Sequence, residues 1–215
     1  MKGDIIIVED HHREAGRAIA ARLSDEIRGR DRRSTITVAG ESGSGKSETA
    51  TAIAEELGAL GIDAVVLQQD DYFVHPPKTN DRTRREDIGW VGPQEVRLDL
   101  LDEHLEAARS GADTITKPLV IYEEDRTVEE TVDLSDADVV VAEGTYTSLL
   151  EHVDARVFIA RNRLETMEHR RKRGREEYDP FIEEVLEIEH EIISQHLERA
   201  DVVISRDYDV AFVGG

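Results

Sequence analysis

Cysteine is absent from the 215-residue chain, which rules out disulfides, thiolate metal sites and a cysteine nucleophile. Aromatic residues make up only 5%, with a single tryptophan. Lysine is scarce too: Lys2, Lys46, Lys78, Lys117 and Lys172 are the full set, so the 27 basic residues are mostly arginine, against 48 acidic residues and a net charge of −21. Such a balance disfavours nucleic acid as a general partner. Together these shortages point to adaptation to high salt, where ions screen self-repulsion and a carboxylate surface stays hydrated; an ordinary acidic cytosolic protein is the alternative. An 18-residue apolar run and a secretory leader pattern are both missing, which leads to the expectation of a soluble, cytoplasmic protein that engages no membrane. Composition does not break along the chain, so one domain is expected over residues 1–215.

What is present centres on Gly40-Glu41-Ser42-Gly43-Ser44-Gly45-Lys46-Ser47, which fits G-x-x-x-x-G-K-[ST]. The β-branched run Thr35-Ile36-Thr37-Val38-Ala39 leads in as a buried strand, and residues 46–60 lead out with helical character. Glycines let the backbone curl with its N–H groups inward, and the helix adds its positive end, so a polyphosphate meets a ring of donors. The nucleotide-binding set is therefore 40–47 with Glu48 at the helix start. Lys46 is placed to reach the β- and γ-phosphates, and the Ser47 hydroxyl to face Mg²⁺.

Ala64-Val65-Val66-Leu67-Gln68 forms a further buried strand ending in Gln69-Asp70-Asp71-Tyr72-Phe73. Ligands in open α/β sheets bind beyond the carboxyl ends of the strands, so Asp70 is the candidate base and a candidate for the Mg²⁺ water shell, with Asp71 and Tyr72 as candidate substrate contacts. Residues 137–146 hold a second such strand, Asp138-Val139-Val140-Val141-Ala142-Glu143-Gly144, whose terminal Glu143 is expected to orient Mg²⁺ opposite Ser47. Between them, residues 74–93 lack clean periodicity and read as a long functional loop. Its Lys78, Arg82, Arg84 and Arg85 hint at an anionic acceptor or pair with local acids, and Trp90 packs beneath it or stacks on a ring. Residues 114–132 read as two extended stretches about a turn, in which Tyr122 and Arg126 either line a substrate pocket or belong to an ordinary β-hairpin.

Before the glycine loop, residues 4–8 read as a short buried strand and 12–30 as a helix with Ala15, Ile19, Leu23 and Ile27 on one face; His11 and His12 sit at the turn between them. After the second acidic strand end, the densest positive charge, His169-Arg170-Arg171-Lys172-Arg173-Gly174-Arg175, reads as a lid over about residues 168–178 whose arginines stabilise transferring charge. Asp179-Pro180 then starts a helix with Asp as cap and Pro in first position.

The set Gly40 to Ser47, Gln69-Asp70-Asp71-Tyr72-Phe73, Lys117-Pro118 with Tyr122, Glu143-Gly144-Thr145-Tyr146 and Arg173-Gly174-Arg175 resembles the uridine kinase and phosphoribulokinase family of P-loop kinases, over residues 34–205. That resemblance implies a three-layer α/β/α P-loop fold around a mostly parallel sheet of five strands or slightly more, with an arginine-rich lid. It implies Asp70 as activator of the acceptor hydroxyl, Glu143 near Mg²⁺, Arg173 and Arg175 in the lid, an NTP donor, and frequent oligomers; Arg170 is a candidate from the basic run itself and has no family counterpart. Where nucleoside kinases of that family carry H-P-D-A-[FY]-D, this chain has Gly92-Pro93-Gln94-Glu95-Val96-Arg97. The expected function is a Mg²⁺-dependent kinase moving the γ-phosphoryl group of ATP or GTP to a nucleoside or sugar hydroxyl. A phosphorylated-sugar kinase and a regulatory NTPase without a small acceptor are the alternatives.

Overall fold

The computed structural model describes residues 1, 5–161 and 179–213. Its organising element is a six-stranded sheet in the order β2 (Ala64–Gln68), β5 (Val139–Glu143), β1 (Ser34–Gly40), β6 (Ala155–Ile159), β7 (Val202–Ile204), β8 (Val210–Phe212). The first five strands run parallel and β8 pairs antiparallel with β7. β1 and β5 are buried at every residue, which is why they read as unbroken apolar or β-branched runs without polar alternation.

Helices cover both faces, and the two-residue period of β5 divides its side chains between them. Val139 and Val141 join Ile36, Val38 and the helices α1 (Asp10–Arg28) and α2 (Lys46–Ala59) through Ala15, Ile19, Ile53 and Leu57. Val140 and Ala142 face the opposite core, which gathers Leu101 and Leu105 of α4 (Leu98–Arg109) and Ile193 of α5 (Pro180–Ile193). A two-stranded antiparallel hairpin, β3 (Thr114–Ile121) with β4 (Arg126–Asp133), stands apart from the main sheet. Among the described residues, no helix is long and apolar enough to cross a membrane.

Two expectations are corrected. The β-branched run Ile5-Ile6-Ile7-Val8 forms no strand: Ile5 is 73% and Ile7 65% exposed, and neither pairs in a ladder, since strand propensity without a pairing partner leaves the chain extended only. The helix expected after it does form, over residues 10–28, and packs on α2 so closely that a Cβ on Gly16 would come within 2.8 Å of the Ala52 carbonyl carbon. The second correction concerns residues 74–93, which contain α3 (Pro77–Glu86). That helix buries only Asn80, so it carries no apolar stripe for a periodicity argument to find. Its start is held from outside: Asp125, in the hairpin turn, accepts from the Lys78 N–H at 2.7 Å and the Thr79 hydroxyl at 2.8 Å.

Candidate active site

The glycine loop joins β1 to α2 and is supported from behind. Gly45, the residue before α2, has φ of 98°, and a Cβ there would lie 2.0 Å from the Tyr208 hydroxyl, so only glycine fits. Tyr208 donates from that hydroxyl to the Ser44 carbonyl at 2.7 Å, and its ring meets those of His11 and His12 edge-on. His11 and His12 thus lie within the first turn of α1 rather than at a turn between strand and helix, with one potential ligand atom each of Glu9, His11 and His12 within 4.8 Å of one another. Lys46 Nζ donates to the Glu41 carbonyl at 2.9 Å, curling back over the loop, and Glu41 Oε1 is 2.6 Å from His190 Nδ1 on α5. Ser44 Oγ is buried without a hydrogen-bond partner inside this cradle, an arrangement that fits a phosphate acceptor. Ser42 faces the adjoining cavity and Glu48 is buried in the first turn of α2.

Strand order explains how the two acidic strand ends meet. β5 lies between β1 and β2, with Glu143 level with both Val38 and Gln68, so Glu143 and Asp70 arrive side by side at the carboxyl edge of the sheet. Ser47 Oγ donates to Glu143 Oε1 at 2.9 Å. Burial first, and the nearby Asp70 carboxylate second, push the Glu143 carboxyl up to about 7, against the pull of Lys46 and the Ser47 hydrogen bond. Ser47, Glu143 and Asp70 offer oxygen donors only, a set suited to Mg²⁺ rather than to a softer metal. Gly144 lets this edge close: a Cβ there would lie 2.2 Å from that of Gln69, whose Oε1 accepts the Tyr146 N–H at 2.7 Å.

A cavity of about 290 Å³ opens beside the loop, and Asp70, Arg84, Tyr122, Thr145 and Glu189 line it with Ser42. Asp70 is exposed into it. Arg84 carries two hydrogen bonds to Glu95, one of them at 2.9 Å, and a third at 3.2 Å to Glu189. Burial works against its charge, but these carboxylates outweigh burial and hold the guanidinium more firmly protonated than usual. Glu95 is fully buried and also accepts from Asn80 Nδ2 at 2.6 Å and the Gly92 N–H at 2.7 Å. Burial raises the Glu189 carboxyl, reinforced by Glu95 and opposed by Arg84. Arg85 pairs with Asp81 and Asp179, and Arg82 donates to the Thr79 hydroxyl. The cations that hinted at an anionic acceptor are thus directed at groups of this chain.

Four expected substrate contacts lie elsewhere. Asp71 is buried, with Oδ2 2.6 Å from Lys117 Nζ and Oδ1 accepting the Val120 N–H at 2.9 Å, and so anchors β3 rather than facing the cavity. Tyr72 is fully buried with its hydroxyl 2.8 Å from His104 Nδ1; it ends the single 3-10 turn Gln69–Tyr72, which carries it into the core. Trp90 donates from its indole to Asn80 Oδ1 at 2.9 Å beneath α3, and Arg126 is exposed beside Glu124. Both are absent from the cavity lining, whereas Tyr122, on the same hairpin as Arg126, reaches it. Arg170, Arg173, Arg175 and the lid at 168–178 lie outside the described residues. Sequence reasoning missed Glu95, Asn80 and Glu189 as partners of Arg84. For Glu95 a signal existed, since it lies in the stretch Gly92-Pro93-Gln94-Glu95 that departs from the nucleoside-kinase pattern. Arg161 was also missed; it lies over the Tyr208 ring behind the loop, with its Nε buried and unpartnered.

Comparison with known proteins agrees with this geometry. The model of the phosphoribulokinase / uridine kinase family matches residues 35–211. The bifunctional alpha-galactosidase/sucrose kinase AgaSK of Mediterraneibacter gnavus is 32% identical over 84% of this chain, which spans 21% of that protein. The uridine kinase of Ureaplasma urealyticum is 30% identical over 58% of the chain and 60% of its own length. The chain therefore spans less than two thirds of these curated relatives. Among solved structures, D-glycerate 3-kinase from Cryptococcus neoformans var. grubii superposes with a TM-score of 0.58 at 13% identity, over 96% of this chain and 98% of that one, a likeness of fold.

Proposed function

The chain belongs to the phosphoribulokinase / uridine kinase family, and from that premise we propose that it transfers the γ-phosphoryl group of ATP or GTP to a hydroxyl of a neutral sugar. The observation that carries the acceptor class is the state of Arg84. Among the described residues it is the arginine that lines the cavity, and two buried carboxylates, Glu95 and Glu189, already hold it, while Asp70 and Asp81 add negative charge to the same walls. A phosphorylated acceptor would enter a negative field in which, among the described residues of these walls, no guanidinium is unspent. Hydroxyl groups, by contrast, can donate to Asp70 and Glu189 and accept from Asn80. A sugar is favoured over a nucleoside by the Gly92-Pro93-Gln94-Glu95 stretch and by the sucrose kinase named in the AgaSK relative.

In the reaction, Asp70 takes the proton of the attacking hydroxyl as its oxygen bonds to the γ-phosphorus and the bond to the β,γ-bridging oxygen breaks, leaving the nucleoside diphosphate. The loop amides and Lys46 hold the polyphosphate. Mg²⁺, held by Ser47 and Glu143, would supply neutralisation of the charge on the phosphoryl oxygens. An ADP-release screen across neutral sugars, nucleosides and sugar phosphates tests the reading. Turnover with a neutral sugar is the expected result. Preference for a sugar phosphate or a nucleoside refutes the acceptor class, and no acceptor dependence favours a regulatory NTPase.

A further inference from the structure

The opposite edge of the sheet carries a cavity of about 630 Å³, where the chain enters β1, β2 and β5. In a protein of net charge −21, it is lined by Arg28, Arg30, Arg32, Arg33 and Arg109 against only Asp31 and Asp138. Three helices end here, and their exposed carbonyls account for part of this charge. Arg28 donates to the Leu60 carbonyl at 2.6 Å, and Arg33 to the carbonyls of Ala112 at 2.6 Å and Ala137 at 2.9 Å. Those two arginines act as caps.

The remaining three are not explained that way. Arg32, Arg30 and Arg109 converge on one carboxylate, Asp154, which they and the Thr35 N–H hold down to about 2 despite its burial. Arg32 makes the forked pair with it at 2.7 and 2.8 Å. Arg30 and Arg109 stop 3.6 Å from Asp154 Oδ1, too far for a hydrogen bond, so they are attracted without spending their donors. Arg30 Nε is buried with no hydrogen-bond partner. One carboxylate thus faces three guanidiniums, and even with Asp31 and Asp138 counted the five arginines keep a positive surplus; among the described residues Arg30 and Arg109 retain unspent donors at the wall of a cleft of small-ligand size.

We propose that this cleft is a second anion site, remote from the glycine loop, for a small molecule carrying two or more phosphate groups. Planar guanidiniums with unspent donors match phosphate oxygens in forked geometry, and the surplus positive charge requires a ligand of more than one negative charge. Calorimetric titration with inorganic tripolyphosphate at low salt tests this. Lys46→Ala, which weakens the glycine loop, should leave one binding event. Arg30→Ser/Arg109→Ser, which keeps the Arg32–Asp154 pair, should weaken that event by about 10-fold or more in the Lys46→Ala background, as expected for two lost charge-assisted contacts. Arg30→Lys/Arg109→Lys preserves charge while losing the fork, and should give an intermediate affinity if the serine variant does not fold. Absence of millimolar binding in Lys46→Ala, or binding unmoved by either pair of substitutions, overturns the proposal.

Discussion

Replacing Glu143 with glutamine should stabilise the ligand-free protein while abolishing phosphoryl transfer. The carboxyl is fully buried, and its ordinary value near 4.5 is lifted to about 7, mainly by burial and then by Asp70. A tenfold displacement of a proton equilibrium corresponds to ~1.4 kcal/mol, so ionised Glu143 costs the fold on the order of 3 kcal/mol. The sign follows from the raised value: the cost is absent below about pH 4.5, grows between there and about pH 7, and is constant above. Glutamine keeps an oxygen to accept from Ser47 Oγ and carries no charge. Urea unfolding without Mg²⁺ or nucleotide should therefore find Glu143→Gln more stable by about 1–3 kcal/mol at pH 8, equivalent to several degrees in Tm, and by less than ~1 kcal/mol at pH 5. Equal stability at pH 8, or a gap that does not shrink at pH 5, would refute the reasoning. Mg²⁺ binding runs the other way, since it needs the carboxylate: wild-type affinity should fall up to tenfold per pH unit below about 7.

Asp70→Asn should retain nucleotide binding in a fluorescence titration while kcat falls by roughly 10²-fold or more, the contribution of a positioned base; near-full turnover would remove Asp70 from the chemistry. Asp71→Ala leaves the buried Lys117 ammonium without its closest carboxylate, and denaturant melts should record a loss of about 3–5 kcal/mol. Asp125→Ala removes the cap on α3 supplied by the hairpin; a loss of about 1 kcal/mol should appear together with a raised acceptor KM, because α3 carries Arg84.

The parallel core was legible because each of its elements carries its own signal. β1 and β5 are continuous apolar runs, the glycine loop has a fixed spacing, and Asp179-Pro180 marks the start of α5 by cap chemistry. Residues 5–8 misled for the same reason: local propensity favours a strand, but a strand exists only where another offers an edge. α3 was hidden because its stabilising groups come from residues distant in sequence, Asp125 at its start and Glu95 and Glu189 around Arg84. The same non-locality separated Asp70 from its neighbours. Asp70, Asp71 and Tyr72 are adjacent in sequence, yet one faces the cavity, one anchors the hairpin and one fills the core. Arg84 looked like an anion receptor as a residue type, and only its buried carboxylate partners reverse that meaning.

That reversal is the centre of the functional account, and a matched pair of acceptors tests it most directly: kcat/KM for a neutral sugar against the same sugar bearing one phosphate, at fixed ATP and Mg²⁺. A pocket whose described arginine is already held by Glu95 and Glu189 predicts a preference for the neutral sugar of about 10²-fold or more. Equal values, or a preference for the phosphorylated sugar, would contradict it.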